Sequence, residues 1–174
     1  MPADLDVKPL ISVPTTSGSG SEVARWGTIW GDDQIKYSVN DMALYPSDSI
    51  LDPEFCVIMP KILSIATGLD ALSHAIEAIW NVNATYLTDA IAQRSIRLLC
   101  THLEQVLDSP SSVEVRRQIQ VAATLSGMAM GVTQTAACHS ISYPFTSRYD
   151  LPHGIACSFT LAEMASYIGE TCPD

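Results

Sequence analysis

The stretch Thr67–Asn81, TGLDALSHAIEAIWN, decides the fold. Leu69, Leu72, Ala75, Ile76 and Ile79 recur at the spacing of one helical face, and Thr67 is placed to cap the first turn. Asp70 and His74 stand four residues apart, so on that helix they project from one face about a turn apart. A carboxylate and an imidazole so placed can grip one divalent metal. An ionised Asp among apolar neighbours needs a partner of that strength. The same two residues also fit a plainer arrangement, an Asp serving the helix dipole with a core His nearby.

Downstream the helical pattern continues. Thr88–Leu107 carries Ile91, Ile96, Leu99, Leu103 and Val106 roughly along one stripe. Ser112–Thr133 reads as a third helix whose C-terminal half is rich in Ala, Gly and Met, small enough there for another helix to approach closely. A fourth is expected over Thr135–Ser147, interrupted or ended near Pro144, and a last from His153-Gly154 through Met164. Upstream lie short strands. Leu10–Val13 stops at Pro14, and PTTSGSGSE (Pro14–Glu22) follows as a Gly/Ser/Thr loop. Arg25–Trp30 and Ile35–Val39 flank a GDDQ turn signal, and Asp48–Leu51 is closed by Asp52-Pro53. These pieces are too short to close a sheet and have no obvious partners within the chain. The fold class is therefore mainly α: a helical bundle over 59–174, preceded by leftover sheet over 1–58.

Composition narrows the function. Hydrophobic residues make up 47% of the 174 and charged ones 16%, enough for a sizeable core. A net charge of −10 argues against nucleic acid and against an anionic membrane surface. No uninterrupted apolar run reaches the ~20 residues that span a bilayer, and MPADLDVK lacks a signal peptide's apolar core. The five cysteines are odd in number and form no CxxC pair, which fits reduced thiols in a cytoplasm.

There are four histidines. His102 sits among Arg97, Glu104 and Gln105 and reads as a surface residue. His139 lies in the small apolar run TAACHSIS, and His153 stands between Pro152 and Gly154. One Asp and three neutral imidazoles suit Fe²⁺ or Zn²⁺ with a position left open for an oxygen ligand. Spacing alone leaves open whether the two pairs converge. The Pro14–Glu22 loop exposes N–H and hydroxyl groups that can bind phosphate or a dinucleotide edge. It matches neither GxGxxG nor a Walker A loop, and a plain connecting loop fits it as well.

Taken together, PTTSGSGSE, LDPE (Leu51–Glu54), TGLDALSHAIEA (Thr67–Ala78) and LPHG (Leu151–Gly154) resemble the iron-containing, or group III, alcohol dehydrogenases. The resemblance runs in the family's order from about Pro9 to Ala162. It implies metal ligands Asp70, His74, His139 and His153, and cofactor contacts from Thr15, Thr16, Ser19 and Lys36. It implies a dehydroquinate-synthase-like fold, of which 1–58 would be a remnant of the α/β nucleotide-binding domain and 59–174 an incomplete helical metal-binding domain. It also implies Fe²⁺, with Zn²⁺ the rival, NAD or NADP, a small aldehyde or alcohol substrate, and a homo-oligomer at full length. In such an enzyme the metal acts as a Lewis acid on the substrate oxygen while the nicotinamide exchanges hydride with the adjacent carbon. A separate group must then relay the proton.

Two departures stand out. Many family members carry a second His four residues after the third ligand, where this chain has Tyr143. A phenol can relay a proton or bond a substrate oxygen, but it does not titrate near neutrality, and packing within the bundle is the plainer role. HSISYPFTSRY and AIWNVNA resemble the phosphonoacetaldehyde reductase branch. In that branch Arg148 or Arg25 would meet a phosphonate; otherwise each is a surface or ion-pairing residue. The second departure is length: the family's glycine-rich diphosphate segment would precede Pro9, and the end of its helical domain would follow Asp174. A noncatalytic metal-binding fragment and a metallohydrolase are the competing readings; the latter lacks an obvious general base beside the ligands.

Overall fold

The computed structural model describes residues 8–32 and 35–172, except for the side chains of Trp30 and Lys36. The N-terminal part forms two small ladders. Strand β1 (Ile11–Ser12) pairs in parallel with β4 (Asp48–Ser49), and β2 (Trp26–Trp30) pairs antiparallel with β3 (Lys36–Asn40) in a register from Trp26↔Asn40 to Trp30↔Lys36. The strands expected to lack partners therefore have them. The β2–β3 pair is local and follows from its turn. The β1–β4 pair joins segments 37 residues apart, and two residues a side leave no pattern to read in advance.

Seven helices follow among the described residues: α1 (Lys61–Trp80), α2 (Tyr86–His102), α3 (Gln105–Asp108), α4 (Val113–Thr133), α5 (Ala137–Tyr149), α6 (His153–Ser158) and α7 (Leu161–Thr171). Helix α1 begins two turns before Thr67, directly after Pro60. Thr67 is thus no cap, and its hydroxyl donates back to the Leu63 carbonyl at 2.9 Å. The early start is held from outside, because buried Arg116 on α4 donates to Ser64 Oγ at 2.5 Å and to the Met59 carbonyl at 3.0 Å. Helix α2 also starts earlier than expected, on a Thr85/Thr88 capping box, and the stripe thought continuous to Leu107 breaks after His102. Helix α5 runs through Pro144 to Tyr149, since one proline costs one backbone bond while its neighbours keep theirs. The last expected helix is two, α6 and α7, separated at Phe159–Thr160.

The core lies among α1, α2, α3 and α4, with Ala71, Leu98, Leu99, Leu103, Val106, Ile119 and Ala122 at its centre. A second cluster of Ala75, Ala78, Ala92 and Ala129 brings α1, α2 and α4 close through small side chains. By length and mean hydropathy (1.3) α1 could cross a bilayer, yet most of it is buried within the bundle. Its most buried face is not the Leu/Ile stripe. Leu69, Leu72 and Ile76 are only half-buried and Ile79 is exposed, whereas Asp70, Ala71, Ser73, His74, Ala75, Glu77 and Ala78 are buried. A polar face turned inward needs partners there.

Two glycine contacts bring other elements onto this frame. A Cβ on Gly154 would fall 1.8 Å from the Ala66 carbonyl oxygen, so α6 rests its first turn directly on the α1 backbone. Gly20, at φ 61°, meets the backbone of Gly127 on α4, where a Cβ would fall 2.4 Å from the Gly127 Cα. The Pro14–Glu22 loop is further tied to α4, since Thr124 Oγ1 donates to buried Glu22 at 2.6 Å.

Candidate metal centre

Asp70 and His74 share the inward face of α1, His139 lies in the first turn of α5, and His153 opens α6. These elements carry all four to one point. Asp70 Oδ1 lies 3.5 Å from His139 Nε2, 3.8 Å from His153 Nε2 and 4.0 Å from His74 Nε2. The rings pack on one another: His74 and His139 stack with centroids 4.5 Å apart, and His139 meets His153 edge-on at 5.6 Å. His102, on the bundle's outer side, bonds Gln105 instead.

Glu77 is the group that sequence reasoning missed. It is wholly buried, and it accepts the backbone N–H groups of Ala136 (3.1 Å), Cys138 (2.6 Å) and His139 (3.3 Å). Helix α5 has no side-chain cap of its own, so a carboxylate from α1 caps it across the interface. The same carboxylate lies 2.5 Å from His139 Nδ1. That contact assigns an N–H to Nδ1 and turns Nε2 toward Asp70, so that Nε2 is the nitrogen a metal would take once its proton has left. With four donors upon it, Glu77 has no free oxygen to serve as a hydrolytic base. The available signal was its position: Asp70, His74 and Glu77 fall at i, i+4 and i+7 on one helix face.

The ionisation pattern follows from the geometry. Burial opposes the Asp70 charge, but His74, His139 and His153 outweigh it and lower its pKa to about 2. Burial pushes His74 down to about 4, so its ring is neutral at neutral pH. Burial also opposes a charge on His139, yet Asp70, Cys157 and Glu77 around the ring raise it to about 12. Burial would lift Glu77, and the His139 ring and the α5 amides instead hold it below its ordinary value.

Asp70 Oδ1, His74 Nδ1 and His139 Nε2 are nevertheless buried without a hydrogen-bond partner. The 3.5 Å approach of His139 to Asp70 is an ion-pair distance without hydrogen-bond geometry. A carboxylate oxygen and an imidazole nitrogen orphaned at one point, with two more imidazoles beside them, fit a divalent cation. Buried polar atoms that served only each other would be expected to close to hydrogen-bonding distance.

A cavity of about 550 Å³ opens on this cluster. Asp70, His74, His139 and His153 form its floor; Trp26, Thr28 and Ser38 of the β2–β3 ladder, with Ser19 and Ser21, form the facing wall. Tyr143 also lines it, one turn beyond His139, with its ring nearly parallel to that of His153 at 6.4 Å. Of the loop residues expected to meet a cofactor, only Ser19 reaches this cavity. Thr15 and Thr16 are exposed elsewhere on the loop, and the side chain of Lys36 lies outside the described residues. Arg148 is exposed and Arg25 donates to Met42 Sδ; neither lines the cavity.

Fold and site together define a mainly helical unit with a cleft between a buried Asp/His cluster and two small β-ladders. The model for the Fe-containing alcohol dehydrogenase family, C-terminal, matches residues 64–174, and that for iron-containing alcohol dehydrogenase matches residues 2–53. The chain belongs to the iron-containing alcohol dehydrogenase family. It is 34% identical over 164 residues to the 1-propanol dehydrogenase PduQ of Salmonella typhimurium, covering 94% of this chain and 44% of that one. It is 36% identical over 171 residues to the phosphonoacetaldehyde reductase of Streptomyces viridochromogenes, covering 95% and 43%. The crystal structure of sulfoacetaldehyde reductase from Bifidobacterium kashiwanohense in complex with NAD⁺ superposes with a TM-score of 0.89 at 31% identity, over 92% of this chain and 43% of that one. The chain thus spans less than half the length of these relatives.

Proposed function

We propose that this chain is the metal-bearing part of an NAD(P)-linked alcohol dehydrogenase or aldehyde reductase acting on a small aldehyde. The observation that carries the reading is the convergence of three imidazoles on Asp70 Oδ1, with Asp70 and His139 atoms left unpartnered at the floor of the cleft. Asp70, His74, His139 and His153 would hold Fe²⁺, with Zn²⁺ the alternative. Such a metal supplies Lewis acidity to the substrate oxygen and the nicotinamide supplies the hydride. Glu77 keeps His139 in one tautomer and one orientation. Tyr143, which lines the cavity, would carry the proton that the substrate oxygen gains or loses.

Ser19 and the loop backbone are assigned to the cofactor; Thr15, Thr16 and Lys36 are assigned to it by family resemblance alone. None of the described lining residues is Lys or Arg, while the side chain of Lys36 lies outside them; the substrate class is a small aldehyde, uncharged or phosphonate-bearing. Residues 1–58 are assigned to the nucleotide-binding side and 59–174 to the metal side, within a homo-oligomer. All five cysteines are free, which fits a reducing cytoplasm.

Metal analysis after anaerobic purification, with calorimetric titration of Fe²⁺ and Zn²⁺, tests the site. One divalent ion per chain is expected, and the double change His139→Ala/His153→Ala should abolish binding. Affinity that survives the double change refutes the ligand set. Aldehyde-dependent NADH or NADPH oxidation, comparing propanal with phosphonoacetaldehyde, tests the reaction and the substrate class.

A further inference from the structure

We propose that Cys157 is a metal donor in its own right, giving the centre a thiolate alongside Asp70, His139 and His153. The proposal rests on the metal-binding reading above and adds to it a ligand of different chemistry. Cys157 stands four residues after His153, so both project from one face of α6. Its side chain is wholly buried, and its sulfur lies 3.6 Å from His153 Nε2 and 3.7 Å from Nδ1. One donor atom from each of Asp70, His139, His153 and Cys157 can be chosen so that all four lie within 4.8 Å of one another.

That spread is only a little wider than a tetrahedral site. Bond lengths of about 2.0–2.3 Å place tetrahedral donors roughly 3.3–3.8 Å apart. Small side-chain adjustments close the difference. The cysteine does not stand alone in pointing there: His139, 1% exposed, aims an unpartnered Nε2 into the same space, and so does Asp70 with Oδ1. The thiol donates to Ser142 Oγ at 3.3 Å and has the His153 ring nitrogens as its other polar neighbours, and a thiol hydrogen bond is a weak one to give up. On coordination the Sγ–metal bond forms and the S–H proton passes to the buffer, with no change of oxidation state.

A thiolate changes which ion the site prefers. A carboxylate with three imidazoles accepts Fe²⁺ and Zn²⁺ alike, whereas a sulfur donor favours Zn²⁺. Cys157 would therefore bias this chain toward Zn²⁺ relative to a centre of Asp and His ligands alone.

Anaerobic Co²⁺ titration of the whole chain reads the sulfur directly. The unaltered protein should show a near-ultraviolet sulfur-to-cobalt charge-transfer band together with the visible bands of bound Co²⁺. Cys157→Ser and Cys157→Ala should lose the charge-transfer band and keep the visible ones, while Cys138→Ala, the neighbouring buried thiol, should keep both. Zinc affinity should fall about tenfold or more in Cys157→Ala, and X-ray absorption at zinc should show one sulfur at about 2.3 Å in the unaltered protein. If Co²⁺ binds without the sulfur band and Zn²⁺ shows only nitrogen and oxygen neighbours, Cys157 is not a ligand and the Asp/His centre stands. If the unaltered chain binds neither ion, the metal reading itself fails. Circular dichroism of each variant separates loss of a ligand from loss of the fold.

Discussion

Glu77 gathers three α5 amides and one imidazole onto a single buried carboxylate, so its substitution has a calculable signature. Glu77→Gln keeps the size but puts an NH₂ where donors already crowd. At least one amide or the His139 ring then loses its acceptor, which costs about 1–3 kcal/mol of stability in a urea titration. His139 also loses the partner that fixes its tautomer, and metal affinity should drop about 10–100-fold by calorimetry. Unchanged affinity in a folded variant would show that Glu77 acts on α5 alone. His139 further sets a pH dependence. Without metal its pKa is raised to about 12, so at neutral pH the ring carries two protons, and the one on Nε2 must leave before a metal binds. Protons compete with metal, so affinity should rise with pH, by about tenfold per unit for the one proton released at this ring. His74, lowered to about 4, adds no such term near neutrality. An affinity flat between pH 6 and 8 would contradict a ligand role for His139.

At the scale of elements, the site depends on how closely α6 lies on α1. The Ala66 carbonyl occupies the space that a side chain on Gly154 would need. Gly154→Ala should force α6 away and carry the neighbouring His153 off Asp70. The overpacking should cost about 1–3 kcal/mol, read from the shift of the urea midpoint. Metal affinity should fall with it, although no ligand has been altered. Gly169, where a Cβ would meet nothing within 4 Å, is the control: Gly169→Ala on α7 should leave metal affinity unchanged. A Gly154→Ala variant as stable as that control would mean that the contact relaxes without moving the histidine.

For the whole molecule, the proposed ligands come from α1, α5 and α6, so a bound ion ties together segments up to 83 residues apart, from Asp70 to His153. An ion that binds the folded state alone stabilises it by mass action, about 2.7 kcal/mol at a hundred times Kd. For a chain of this size that is roughly 5–10 °C in Tm, because each kcal/mol moves it by about 2–4 °C. Chelation should reverse the shift in the unaltered chain and have no effect on His139→Ala/His153→Ala. Equal melting with and without metal would count against a site that bridges these helices.

The sequence by itself determined that α1 is a helix with Asp70 and His74 on one face, because periodicity is local and survives without knowledge of the fold. Through the family's motifs it also pointed to His139 and His153 as their partners. It did not show that Pro60 rather than Thr67 starts α1, because the start is held by Arg116 from α4, more than 50 residues away. Nor did it show the β1–β4 pairing, the Glu77 cap or the approach of Cys157. Each depends on two distant segments meeting, as α6 meets α1 over Gly154. The carboxylate and imidazoles that could bind a metal were readable residue by residue. Only the tertiary structure decided that they converge and that Asp70 Oδ1 and His139 Nε2 remain unpartnered there, because convergence is a property of packed backbones and not of spacing along the chain.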